Sequence, residues 1–159
     1  MDEVGAEYFY SASSIKTFAA VAALERLAEL AAETGLPIDR DTPLAIHSLF
    51  EGERLERQDP SHLAGGTITV GHEIRKLAIV SDNEAFNRLY ALVGPDGIAR
   101  SLARAGLAAP RIVHRLSVAR SAADNLRLPR IDLLGADFVH TLPERTAKPL
   151  PPAPSMPGL

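Results

Sequence analysis

YSASSIKTF, residues Tyr10–Phe18, leads into a long run of apolar and small residues that reaches Leu24. Serine favours helix N-caps because its oxygen accepts a free backbone N–H of the first turn, so Ser13 is predicted at a helix entrance. Lys16 follows three residues later and shares a helix face with Ser13. The stretch therefore predicts a helix over residues 14–33, with a hydroxyl and an amine side by side at its positive dipole end.

Ser13 and Lys16 allow two interpretations. In the first, burial disfavours the charged form of the lysine, so that Lys16 accepts the proton of Ser13 and Ser13 acts as a nucleophile. In the second, Ser13 only caps the helix and Lys16 extends its amine to water. The S-x-x-K spacing alone does not decide between them.

Composition limits the kinds of function. The 159 residues are 46% hydrophobic, which is enough for one domain with a core. A formal net charge of −3 gives no basic surface, so nucleic acid is not an expected partner. No segment approaches the ~20 apolar residues of a membrane span, and Met1–Val4 lacks the basic-then-apolar order of a signal peptide.

Side chains that hold metals are scarce. The chain has no cysteine, which excludes disulfides and thiolate chemistry. The five histidines show no metal-ligand spacing, and we expect them on the surface or in loops. Neither a metal nor a cofactor is therefore expected. Ion pairs are expected to account for Arg115, Arg120 and Arg127.

Hydrophobic periodicity predicts an inner stripe on the first helix, formed by Leu24, Leu27, Ala28 and Ala31. It predicts three further helices, with irregular surface structure over residues 49–66 and a short extended piece in 37–48. Few or no strands are expected. Residues 143–159 contain six prolines, a composition that predicts a linker or surface arm without a strand ladder. The predicted helices cover Val70–Val80 after a Thr69 cap, Glu84–Leu92 after an Asn83 cap, and Asp96–Ala105.

A second polar motif, Ser81-Asp82-Asn83, separates two of these helices and lies 68 residues after Ser13. As plain structure, it is a helix stop followed by an N-cap. As a functional element, it supplies a hydroxyl and an amide on rigid flanks, which can relay a proton and orient a substrate carbonyl or amide.

Together the two motifs resemble the penicillin-recognising serine hydrolases, which include class A β-lactamases and penicillin-binding relatives. The resemblance extends over roughly residues 6–110 and includes Ile68–Ala85 and Gly94–Leu107. It implies a mainly α fold, in which residues 1–142 form the helical domain and most of the family's α/β sheet is missing at both ends. Residues 143–159 are then a Pro-rich arm or linker.

The resemblance also implies a chemistry that needs no cofactor. Ser13 would attack an amide, lactam or ester carbonyl and form an acyl-enzyme, with Lys16 as its base and its own backbone N–H in the oxyanion hole. Ser81 would pass a proton to the leaving nitrogen, and Asn83 would hold Lys16 and the substrate. The substrate would be a small molecule or a peptide, and the compartment would be periplasmic or extracellular.

Two departures from the family pattern weaken that prediction. The K-T-G motif is absent, and Thr146–Pro149 has related letters in the wrong order. The region where class A enzymes carry a deacylating glutamate, residues 114–125, contains Asp124 as its only carboxylate. We therefore expect weak or no activity in the isolated chain. The alternative is a non-catalytic binding or assembly module that self-associates through an exposed apolar face.

Overall fold

The computed structural model describes residues 12–107 and 110–151, in which helices account for 43% and strands for 15% of the fold. Within those residues, no helix is both long and apolar enough to span a bilayer. The helices are α1 (Lys16–Thr34), α2 (Val70–Val80), α3 (Asn83–Val93), α4 (Pro95–Arg104) and α5 (Ala122–Leu126). The strands are β1 (Pro43–Ile46), β2 (Ile68–Thr69), β3 (Arg127–Leu128), β4 (Ile131–Leu134), β5 (Val139–Leu142) and β6 (Arg145–Thr146).

Helix α1 is the centre of the fold and packs against α2, α3 and α4. Its buried face is rich in alanine, which lets neighbouring helices approach closely. Leu24 and Ala28, predicted to face the core, are instead exposed, Leu24 by 42% of its surface. That prediction was wrong because the helix turns its small residues inward. The inward residues are Ala19, Ala20, Ala22, Ala23, Leu27 and Leu30.

The boundaries of α2, α3 and α4 agree with the sequence prediction to within one residue. The Thr69 cap is confirmed, since its Oγ1 accepts the backbone N–H of His72 at 3.1 Å. The Asn83 cap was wrong. Asp82 caps α3 by accepting the N–H of Ala85 at 2.8 Å, because the helix begins one residue earlier than predicted.

Strands are more numerous than the sequence indicated. Four of them form an antiparallel sheet in the order β2-β1-β4-β5, and β3 pairs with β6. The expectation of few or no strands was wrong because strands of two to four residues show no readable alternation. The expectation of no ladder after residue 142 was also wrong, since Arg145 and Thr146 lie between prolines and pair with β3. The domain boundary at that point remains a prediction.

Candidate active site

Lys16 and Ser81 come together although 65 residues separate them. Lys16 begins α1 and is only 1% exposed. Its Nζ donates to the Ser81 hydroxyl at 3.0 Å and to the Ser81 carbonyl oxygen at 2.5 Å. Ser81 ends α2 in the left-handed conformation, with φ 55°, which turns both of its oxygens towards the lysine. The structure thus joins the S-x-x-K and S-D-N motifs through a buried amine.

Ser13 lies in a 3-10 turn over Ala12–Ile15 that runs directly into α1, and it is exposed. The predicted cap was wrong. Ile15 holds the N-cap position with helical φ and ψ and makes no side-chain cap, because the preceding turn leaves no extended residue at the helix start. Within residues 12–107 and 110–151, no side-chain hydrogen bond joins Ser13 to Lys16. Tyr10 and Ser11 of the same stretch lie outside the described residues.

Asn83 is the first residue of α3, and its side chain points to a different partner from the one predicted. Its Nδ2 donates to the hydroxyl of Ser117 at 2.7 Å. Among the described residues its Oδ1 accepts no hydrogen bond and Lys16 is not its partner. Asn83 therefore connects the motif loop to the segment around Ser117, a contact that no sequence pattern indicated.

The segment around Ser117 has an unusual backbone that neighbouring side chains hold in place. Ser117 has φ 55°, which residues other than glycine rarely adopt. The side chain of Asn87 binds both backbone groups of Leu116, the residue before Ser117. Its Oδ1 accepts the Leu116 N–H at 2.8 Å, and its Nδ2 donates to the Leu116 carbonyl at 2.9 Å. The loop geometry is thus imposed from α3.

Asp124, the only carboxylate of residues 114–125, lies in α5 and binds Ser121 at the start of that helix. It accepts a hydrogen bond from the hydroxyl of Ser121 at 2.7 Å, and Ser121 in turn accepts the Asp124 N–H at 3.0 Å as the α5 cap. The side chain in this region that reaches the motif loop is therefore a serine and not a carboxylate.

A cavity of about 580 Å³ adjoins Asn83 and Ser117. Its size is that of a small-molecule site. Apolar, cationic and anionic side chains share its wall, and its lining includes Leu49, Phe50, Glu53, Arg54, Glu84 and Arg115.

Three arginines surround Phe50, one member of that wall. The guanidinium carbons of Arg115, Arg120 and Arg127 lie 6.0, 4.0 and 5.2 Å from the ring centroid. Ion pairs were expected to explain them, and this is confirmed for two: Arg120 pairs with Glu53 at 2.8 Å and Arg127 with Glu144 at 3.0 Å.

Arg115 has a different role from the other two. It donates to the carbonyl oxygens of Asp124 at 3.1 Å and Arg127 at 2.8 Å, and no carboxylate pairs with it in the described part of the chain. Burial lowers the pKa of its guanidinium, an effect that the nearby Tyr90 and Glu53 only partly offset.

An ionic network lies behind the motif loop and joins α2, α3 and the segment before β2. Lys76 and Arg88 approach Asp59 at 2.6 and 3.0 Å, and Arg88 also reaches Glu73 at 3.2 Å. Glu73 is fully buried, its Oε1 has no hydrogen-bond partner in the described part of the chain, and burial raises its pKa despite the nearby cations. Lys76 lies 3.7 Å from Asp82, which connects the network to the S-D-N motif.

The same network contradicts one expectation about histidines. His72, expected on the surface or in a loop, lies in α2 and is only 7% exposed, since it contacts Ser61 at 2.8 Å and stacks on His62.

Ligand atoms of Asp59, His72 and Glu73 lie within 4.8 Å of one another, a spacing that could hold a metal ion. Lys76 and Arg88 already bind these carboxylates, so we assign no metal here.

A helical core with a buried lysine and a serine meeting at helix ends is the architecture of a β-lactamase-like hydrolase. A family model described as the beta-lactamase enzyme family matches residues 2–144 of the 159-residue chain. The chain therefore belongs to that family. No curated protein and no solved structure gives a significant match.

Proposed function

We propose that the chain is a serine hydrolase that forms an acyl-enzyme on Ser13 with an amide, lactam or ester substrate. The observation that supports this best is the contact of the buried Lys16 with Ser81, 3.0 Å between Nζ and Oγ. Lys16 is 1% exposed and, in the described part of the chain, binds neutral oxygens only. No ion pair among the described residues therefore has to break for this amine to act as the base.

In the proposed mechanism, the Lys16 amine takes the proton of the Ser13 hydroxyl as Ser13 Oγ attacks the substrate carbonyl carbon. The tetrahedral oxyanion accepts the Ser13 backbone N–H. The proton moves from Lys16 through the Ser81 hydroxyl to the leaving nitrogen or oxygen, the bond to the leaving group breaks, and the acyl-enzyme remains. Asn83 holds the substrate, and the adjoining cavity has room for its acyl side chain.

Deacylation is expected to be slow. Water must attack the acyl-enzyme with the help of a base, but residues 114–125 place Ser117 next to Asn83, while the carboxylate of Asp124 accepts a hydrogen bond from Ser121, the cap of α5. We therefore expect an adduct that accumulates, as in a penicillin-binding relative, and not the rapid turnover of a class A β-lactamase.

Intact mass after incubation with a penicillin tests the proposal. The expected result is an increase by the mass of one penicillin, on Ser13 by peptide mapping, which Ser13→Ala abolishes. Ser14→Ala is the matched control, because it removes the neighbouring hydroxyl and should leave the adduct in place. If no adduct forms with a penicillin, an activated ester or an activated amide, the chain is not an acyl-transfer enzyme.

A second candidate function is a non-catalytic binding or assembly module. The observation in its favour is that Ser13 is exposed and that no side-chain hydrogen bond joins it to Lys16 among the described residues. Exposed apolar side chains at the end of α2, Ile79 at 79% and Val80 at 67%, offer a surface for self-association. Sedimentation of the wild type against Ile79→Ser decides this, since a module of this kind predicts an oligomer that the substitution dissociates.

A further inference from the structure

We infer that Ser117 is a positioning residue of the proposed acyl-transfer site and acts through the side chain of Asn83. The inference rests on the proposed function and adds a residue from a segment that otherwise lacks any group for the reaction. Three observations point to it: a hydrogen bond, a backbone conformation and the way that conformation is held.

The hydrogen bond fixes the direction of the Asn83 amide. Its Nδ2 donates to Ser117 Oγ at 2.7 Å. Because the two polar atoms of an amide lie on opposite arms of one plane, holding Nδ2 also holds Oδ1. Among the described residues Asn83 Oδ1 accepts no hydrogen bond, so it stays available to an N–H of the substrate or to the Lys16 amine.

The backbone of Ser117 is unfavourable for a serine. Its φ of 55° lies in the left-handed region, which glycine adopts more easily. Unfavourable backbone conformations persist where the surroundings enforce them and are concentrated at functional sites. A glycine would relieve the strain, but it would remove the hydroxyl that Asn83 binds.

Two asparagine side chains, one from α3 and one from α5, hold the two residues that precede Ser117. Asn87 binds the N–H and the carbonyl of Leu116 at 2.8 and 2.9 Å. The amide oxygen of Asn125 accepts the Arg115 N–H at 2.8 Å. Asn87 lies one turn after Asn83 on α3. The same helix therefore carries Asn83, whose amide Ser117 orients, and Asn87, which holds the backbone next to Ser117.

A double-mutant cycle of acylation rates tests the inference. A fluorescent penicillin gives the dissociation constant of the initial complex and the rate constant of acylation at Ser13, for wild type, Ser117→Ala, Asn83→Ala and the double variant. We expect Ser117→Ala to lower the acylation rate by about ten- to a hundredfold with little change in the dissociation constant. In the Asn83→Ala background the same substitution should have no further effect.

Two further variants separate positioning from loop stability. Ser117→Gly suits the left-handed backbone and lacks the hydroxyl, so it should fold and lose the same factor in rate. Ser121→Ala removes the α5 cap in the same segment and should leave the acylation rate unchanged.

The outcomes distinguish the inference from the function on which it rests. Wild-type rates in Ser117→Ala or Ser117→Gly would overturn the inference and leave the proposed function standing. So would an undiminished effect of Ser117→Ala in the Asn83→Ala background. A wild-type chain that forms no Ser13 adduct would overturn both.

Discussion

Two lysines of this molecule, Lys16 and Lys76, are both shielded from water but have opposite surroundings. Lys16 is 1% exposed and binds two neutral oxygens of Ser81. The Lys76 side chain is 14% exposed, and its Nζ lies 2.6 Å from the Asp59 carboxylate and 3.7 Å from that of Glu73. Burial alone therefore does not distinguish a candidate base from a structural lysine. The distinguishing feature is the charge of the groups that the amine contacts, which is neutral for Lys16 and negative for Lys76.

The two surroundings have opposite consequences for proton transfer. Burial lowers the pKa of Lys76, but the hydrogen bond to Asp59 and the charge of Glu73 outweigh it, so that the pKa lies above its ordinary value. Losing that proton would leave the two buried carboxylates with Arg88 as their remaining cation, which is costly. In the described part of the chain Lys16 pairs with no carboxylate. We therefore assign Lys76 to stability, and the proposed mechanism gives the role of base to Lys16.

The largest expected effect comes from replacing the candidate base. Lys16→Met keeps much of the side-chain volume and removes the amine, so acylation of Ser13 should slow by about 10²–10⁴-fold. The same substitution at Lys76 is the matched control and should slow acylation far less. Labelling by a fluorescent penicillin measures both. Equal rates in the two variants would show that the chemistry does not depend on which lysine is lost.

Stability should show the reverse order. Lys76→Met removes the cation closest to Asp59 and one of the two cations near Glu73. Breaking such a buried pair should lower the free energy of unfolding by about 3 kcal/mol. Urea denaturation of both methionine variants measures this. If Lys16→Met proved the more destabilising of the two, the division between a structural and a chemical lysine would be wrong.

The sequence predicted the parts of this comparison that depend on local pattern. The bounds of α2 follow from periodicity and the Thr69 cap, and the apolar run after Lys16 correctly predicted that α1 begins as a buried helix. Burial of Glu73 and His72 was not predictable in this way. Their partners Asp59, Ser61 and Arg88 lie 11 to 15 residues away, and no periodic pattern encodes such pairings.

Ser117 shows the same limit within the site. As a part of the site, segment 114–125 was singled out only for its missing glutamate. The sequence gives no sign that Asn87 binds Leu116 or that Ser117 then contacts Asn83. The pairing of the short strands was not predicted for a similar reason. β1 pairs with β4 across more than 80 residues, and neither strand exceeds four residues.

Acid should affect the ionic network and spare the contact of Lys16 with Ser81. Burial raises the pKa of Asp59, but hydrogen bonds from Lys76 and Ser61 outweigh it and hold the pKa well below 3.8. The folded state thus binds fewer protons than the unfolded state, so this contribution is present above pH 3.8 and is lost as the pH falls below it.

We expect the loss on acidification to be on the order of 2 kcal/mol for the wild type and for Lys16→Met, and smaller for Lys76→Met. Free energies of unfolding measured between pH 5 and pH 2 provide the comparison. An equally steep decline in Lys76→Met would mean that the charge of Lys76 is not what lowers the pKa of Asp59.

The smallest expected effect concerns Ser81, the partner of Lys16. Ser81 ends α2 with φ 55°, where glycine is the favoured residue. Ser81→Gly and Ser81→Ala both remove the hydroxyl, so both should slow acylation, while only the glycine relieves the backbone. Ser81→Gly should therefore be more stable than Ser81→Ala by about 1 kcal/mol. Equal free energies of unfolding would show that Ser81 carries no strain. A clear difference would show that the chain maintains an unfavourable serine here, for which its hydroxyl on Lys16 is the reason.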